Sequence, residues 1–335
     1  MSLALILLMA LALLLLPALV LGGAIAIGIH LGHRKTGTAP VVTSEIARAW
    51  RSAQHRALTA IGLAIVAFAM ITTVGLNSPS ALGIPVMLAA PLSCTLGMIV
   101  YGALPPSATP RSGAVPRSAP LEPRGVLTFF PRRDALMALV MLSSVILMAV
   151  VLGISAHDEI SDAPGRSISF ASTDMTSSAS PYFGWFYSVP LMGACAVLAL
   201  ATAFALRRVS STPVIGDAGS DEADAIWRRE TNRILTRVMI AGCALPLGPS
   251  AVLSGMAMHR AALPTTSTAW STFAVILSVL GLALLVNGFW SIVTAAMHAT
   301  LLPQRCLRGG PMASHAGTSA AVAAGPADAT TRATP

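Results

Sequence analysis

The chain reads as an all-α polytopic membrane bundle: seven transmembrane helices, laid out as two parallel three-helix repeats plus one linking helix (3+1+3). Three observations predict this. Of 335 residues, 55% are hydrophobic and only 10% charged, far less charge than an ordinary soluble domain carries. Seven stretches are apolar for the roughly 20 residues that a helix needs to cross the hydrocarbon core. A charged motif is also written twice, each copy following one apolar stretch and leading into two more.

The expected spans are 3–29, 57–76, 82–104, 135–154, 186–206, 238–257 and 271–297. They are continuously apolar, without the in/out alternation of barrel strands, so helices are expected rather than a barrel. The first could pass for a secretory signal. It lacks a basic start, its apolar run is too long and no small-residue cleavage site follows, so a retained helix is the expectation. Residues 105–131 are rich in Pro, Ser and Arg and read as a linker that does not fold alone. Residues 155–183 form the one long loop on the other side. The aromatics at its end (Tyr182, Phe183, Trp185, Phe186, Tyr187) read as a membrane-interface belt. Beyond Pro303 the tail is Ala, Gly, Thr and Pro and reads as disordered.

Basic residues set the orientation. Arg34, Lys35, Arg48, Arg51 and Arg56 lie between the first two spans, and five arginines lie between the third and fourth. Arg207, Arg208, Arg228, Arg229, Arg233 and Arg237 lie between the fifth and sixth, whereas the alternate loops hold only Arg166 and Arg260. This places the chain in a cell membrane with its N-terminus outside and its C-terminus in the cytoplasm. The net charge of +8 then follows from topology and implies no nucleic-acid partner. Cys94, Cys195 and Cys243 fall inside spans, where cysteine packs as a small apolar side chain. Cys306 lies on the reducing side.

The duplication divides the chain. A first three-helix unit covers 1–104, a cytoplasmic linker 105–133, and a linking span with its external loop 134–183. A second unit covers 184–302 and the tail 303–335. The extra crossing lets both units enter the membrane in the same sense.

The motif itself runs Arg34, Pro40-Val41-Val42, Thr43-Ser44-Glu45, Trp50-Arg51 and His55-Arg56-Ala57-Leu58-Thr59. Its second copy runs Arg208, Pro213-Val214-Ile215, Ser220-Asp221-Glu222, Trp227-Arg228 and Asn232-Arg233-Ile234-Leu235-Thr236. Thr43 or Ser44 in copy one, and Ser220 in copy two, suit a helix N-cap. Acids in the first turn complement the helix dipole, and Asp224 stands four residues before Arg228, a favourable helical pair. A short amphipathic helix at the cytoplasmic interface is expected, with Trp at headgroup depth and Arg reaching phosphates.

These residues carry a resemblance. Gly32-His33-Arg34-Lys35-Thr36, Ser44-Glu45, Trp50-Arg51 and His55-Arg56 look like the signature of the SdpI/YhfL family of bacterial membrane proteins. The match covers about residues 20–104 well and the second unit more loosely. Lys35 interrupts the family's Arg-Thr step, copy two has no Gly before Arg208, and an insertion separates Ile215 from Ser220. The resemblance implies an immunity protein that protects its cell from a secreted peptide toxin, with a cytoplasmic regulator as a further partner. The functional residues it marks are Arg34, Glu45, Trp50, His55 and Arg56, with Arg208, Glu222, Trp227, Asn232 and Arg233 in the second unit.

No enzyme signature is present: there is no metal-ligand spacing of Cys and His, no Walker-type loop, no HExxH and no Gly-x-Ser-x-Gly elbow. The expectation is a non-enzymatic protein without catalytic residues, metal or cofactor, whose partner is the lipid bilayer. No acidic or basic residue falls mid-span, which weighs against ion-coupled transport. The alternatives are a small-molecule or lipid transporter, with Asn287 and Ser250 lining a path, or a scaffold subunit of a membrane complex. Pro85, Pro91, Pro246 and Pro249 do not occupy equivalent positions and read as ordinary kinks.

Overall fold

A computed structural model describes residues 44–104, 132–156, 165–171, 176–212, 221–263 and 268–308. The first expected span, Arg34, residues 105–131 of the linker and the tail beyond Arg308 lie outside the described residues; the start of the tail, expected to be disordered, continues the last helix as far as Arg308. Six helices account for most of the rest: α1 (Ser44–Leu76), α2 (Ile84–Ala103), α3 (Arg132–Ile154), α4 (Trp185–Ser210), α5 (Asp221–Ala262) and α6 (Thr268–Arg308). Each is long and apolar enough to cross a membrane.

The motif helix runs directly into the following span, as expected: motif and span form one unbroken helix in α1 and again in α5. Nothing between Ser44 and Ala57, or between Asp221 and Met239, is Gly or Pro, so no residue there ends a helix. Pro85 does not interrupt α2, because it falls in the first turn, where its missing N–H would have had no partner. Pro91, Pro246 and Pro249 lie within helices.

α5 is the central helix. It packs against α6 above all, and also against α2, α3 and α4, while α1 pairs with α2 and touches α6. Two small-residue seams explain how closely the hairpins approach. A Cβ on Gly281 would lie 2.6 Å from the Gly248 carbonyl oxygen, and one on Gly97 would lie 2.9 Å from that of Ala60. Backbones this close exchange dispersion contacts that larger side chains would prevent, the usual means of helix association without water. Outward faces remain apolar: Val66, Met70 and Val74 on α1, Leu139 and Leu147 on α3, and Val279, Val286 and Trp290 on α6 are exposed. Such a surface suits hydrocarbon rather than water.

At the end away from the motif, the long loop contains a hairpin. Strand β1 (Ile168–Ala171) pairs antiparallel with β2 (Thr176–Ala179) and rests on α5. The aromatics that follow are not a belt as a group. Tyr182 and Phe183 are buried; the Phe183 N–H donates to Ser254 Oγ at 3.0 Å, and Tyr182 Oη lies 2.6 Å from Ser155 Oγ. Only Trp185 is exposed among the five.

Candidate functional site

Both motif copies lie at one end of the bundle. Gln54 on α1 donates to the Thr300 carbonyl of α6 at 2.8 Å. Glu230 on α5 meets His298 of α6, half a turn before Thr300, at 2.7 Å. Trp50 and Trp227 each precede these contacts by about one turn. The chain direction of the alternating helices brings the C-terminal ends of α2 and α4 and the N-terminal end of α3 to the same place.

The tryptophans do not face the bundle's surroundings. Trp50 and Trp227 are 3% and 1% exposed, sealed among the helices. The arginines beside them grip helix ends instead of reaching outward. Arg228, fully buried, donates through Nη1 to the Val209 carbonyl (2.6 Å) and the Ser210 carbonyl (3.0 Å), and through Nη2 to that of Thr212 (2.7 Å). The last carbonyls of a helix have no partner within it and carry partial negative charge, so this guanidinium caps α4 from another helix. The expected pair with Asp224 is present at 2.6 Å and compensates the buried cation.

Arg56 does the same for α2. Its Nη2 donates to the Tyr101 carbonyl at 3.0 Å, and the guanidinium lies 4.7 Å from the Tyr101 ring. The two capping arginines are not at matching positions: Arg56 corresponds to Arg233, and Arg228 to Arg51. Arg233 instead joins Arg237 on Asp134, at 3.1 Å in each case. That buried carboxylate stands in the first turn of α3, where the dipole also favours it. Glu230 completes the frame with Arg233 at 3.4 Å.

Of the residues marked by sequence, Trp50, Arg56, Trp227, Asn232 and Arg233 therefore converge on this end, the first four buried. His55 and Arg208 are exposed. Glu45 and Glu222 fall in the first turns of α1 and α5. Arg34 lies outside the described residues. The sequence does not single out Asp134, Tyr101 and His298, which sit on three other elements, or Glu230, which lies inside the second copy where the first has Ala53; pairing across elements leaves no local signal. Asp134 gave the one hint, an acid at the edge of an apolar span.

A second feature is a cleft of about 530 Å³ between α1, α2, α5 and α6, closed at one end by residues 181–187. Its lining is apolar except for four hydroxyls: those of Ser93 and Ser250 turn to the carbonyls of Ala90 and Pro246, that of Tyr187 donates to the Leu82 carbonyl, and that of Tyr182 meets Ser155 Oγ. Cys94, which lines it, meets Cys195 and Cys243 where α2, α4 and α5 cross, all buried free thiols. Among the described residues no group of three His, Cys, Asp or Glu side chains is placed to hold a metal ion.

No protein-family model matches the chain, and no curated protein or solved structure shows significant similarity to it.

Proposed function

We propose that this chain is a non-enzymatic integral membrane protein of the SdpI-like type, an immunity or sensory factor against a secreted peptide toxin. Six apolar helices make it a multi-pass membrane protein. The observation that supports the finer reading is that both motif copies contribute to one charged frame at one end of the bundle. This frame clamps the ends of α2, α3 and α4 at once. Chemistry is not what such a frame offers, because its charges are spent on one another and on helix ends. What it offers is coupling: a partner that shifts any one of these helix ends must disturb the others. A toxin acting from the opposite face could in this way alter the face offered to a cytoplasmic regulator.

The test is genetic. Cells lacking the gene are challenged with peptide toxins from producer strains, and then complemented with the wild-type chain or with Arg228→Met. Heightened sensitivity restored only by the wild type supports the reading. Sensitivity unchanged toward every toxin sinks it.

The cleft favours a second reading, a carrier of small apolar molecules or lipids. Transfer of a labelled apolar solute by the purified protein in vesicles tests that reading, and transfer no faster than in empty vesicles rejects it.

A further inference from the structure

The two motif helices share a register but not a cover. From Trp50 and Trp227 the copies align residue for residue, and each continues unbroken into its span. Thr59, Val66 and Thr73 of α1 therefore match Thr236, Cys243 and Ser250 of α5. Within each set the residues are about two turns apart, so each set forms one stripe along its helix. The hairpin partners stand on matching sides as well. A Cβ on Gly75 would lie 2.9 Å from Val86 of α2, and one on Gly281 of α6 would lie 2.8 Å from the backbone nitrogen of Val252, the counterpart of Gly75.

In the second unit the stripe is covered. Thr236, Cys243 and Ser250 are all buried, and α4 packs over them. The Cys195 thiol of α4 meets that of Cys243, and Leu198 of α4 stands 2.6 Å from where a Cβ on Gly242 would lie. Phe183, just ahead of α4, donates its N–H to Ser254, one turn beyond Ser250. In the first unit the same stripe is bare. Thr59, Val66 and Thr73 are exposed, Val66 to 55%, and a Cβ on Gly62 would meet nothing within 4 Å. Among the described residues no helix stands on α1 where α4 stands on α5.

Chain order names what covers it. α4 is the apolar segment directly ahead of the second motif, and residues 3–29, outside the described residues, are the apolar segment directly ahead of the first. We propose that residues 3–29 dock as a helix on the Thr59–Val66–Thr73 stripe, antiparallel to α1, as α4 docks on α5. A helix of that length reaches about 40 Å, and the stripe needs only about 21 Å. Residues 30–43 connect the segment to Ser44, where α1 starts at the motif end, so it arrives beside the base of the stripe. It carries no charged side chain, so nothing in it resists burial against Val66. Gly62 and Ala69, about one turn to either side of Val66, keep the approach close. The first unit then needs neither lipid nor a second copy on this face.

The experiment places a photoreactive side chain, in separate full-length proteins, at Thr59, Val66 and Thr73. A fourth protein carries it at Leu147, which is 65% exposed on α3, and each is irradiated in lipid vesicles. The three stripe positions should capture residues 3–29 of the same chain in a product of monomer mass, whereas Leu147 should capture lipid. The captured residues should also be ordered. Thr59 should reach residues near 29, and Thr73 residues about fourteen positions earlier, because antiparallel helices both rise 1.5 Å per residue. All three positions are exposed, so a larger side chain displaces no packed neighbour, and two of the three decide the matter if one variant does not fold. Lipid adducts at all the stripe positions, as at Leu147, overturn the proposal. So does capture of residues 3–29 in a product of twice the monomer mass, which gives the stripe to a second copy. Capture without order, or in the reverse order, overturns it as well.

Discussion

The Nη2 of Arg228 donates to the Thr212 carbonyl at 2.7 Å, so a side chain near the start of α5 finishes the end of α4. The same guanidinium reaches Val209, Ser210 and Asp224. A planar fork is required for that many simultaneous acceptors. Arg228→Lys should therefore destabilise the protein by about 2–4 kcal/mol, since orphaned carbonyls and a poorly compensated Asp224 remain buried. Arg51→Lys, at the matching but exposed position in copy one, should change stability by no more than about 0.5 kcal/mol. Chemical unfolding in mixed micelles measures both, and equal losses would contradict the asymmetry between the copies.

Asp134 should tie α3 to α5. The carboxylate is buried, but Arg233 and Arg237 are partly exposed, so solvent screening reduces what each pair contributes. Asp134→Asn is expected to cost about 2 kcal/mol. The double variant Asp134→Asn with Arg233→Gln should cost less than the sum of the single losses, because the two residues share one interaction. Strict additivity in that cycle would show that the pair is not coupled.

Close helix approach makes a sharper prediction at glycine. Gly281→Val places carbon within 2.6 Å of the Gly248 carbonyl and should cost about 3 kcal/mol by forcing α5 and α6 apart. Gly193→Ala meets nothing within 4 Å and should be neutral or slightly stabilising, as alanine is the better helix former. Melting in detergent separates the two, and a tolerant Gly281 would mean that the α5–α6 seam is not as tight as drawn.

Alkaline pH should act through Tyr182. This residue stands just ahead of α4, and burial pushes its phenol up from 10.0 to about 12, against a smaller opposite pull from its hydrogen bond to Ser155. The folded state thus holds the proton more tightly than the unfolded chain. Its contribution is complete below pH 10.0 and is lost as pH rises toward about 12, amounting to about 2–3 kcal/mol at most. Stability of the wild type should fall more steeply across that window than stability of Tyr182→Phe. Parallel curves for the two proteins would remove Tyr182 as the cause.

How much of this was legible in the chain depends on the range of each interaction. Apolar run length is a local property, and it locates α2, α3 and α4 to within a few residues, and the apolar stretches inside the longer α1, α5 and α6. The Asp224–Arg228 pair was legible too, since a four-residue helical spacing is also local. The motif is legible as a unit, but the sequence directs its Trp and Arg side chains to the lipid interface, where the structure buries Trp50, Trp227, Arg56 and Arg228. Amphipathic periodicity states that a helix has two faces without saying whether lipid or protein covers the apolar one.

The sequence by itself determined that apolar helices dominate this protein, and that one charged motif, present twice, opens two of them. Only the tertiary structure decided that Trp50 and Trp227 are sealed inside, that Arg56 and Arg228 cap helices far from them in the chain, and that Asp134 serves two arginines. It also decided that an apolar cleft remains between α1, α2, α5 and α6. The physical reason is that hydrophobicity acts on each segment alone, whereas a buried guanidinium is stable only where distant backbone and carboxylate groups meet it, and that meeting is fixed by how the helices pack.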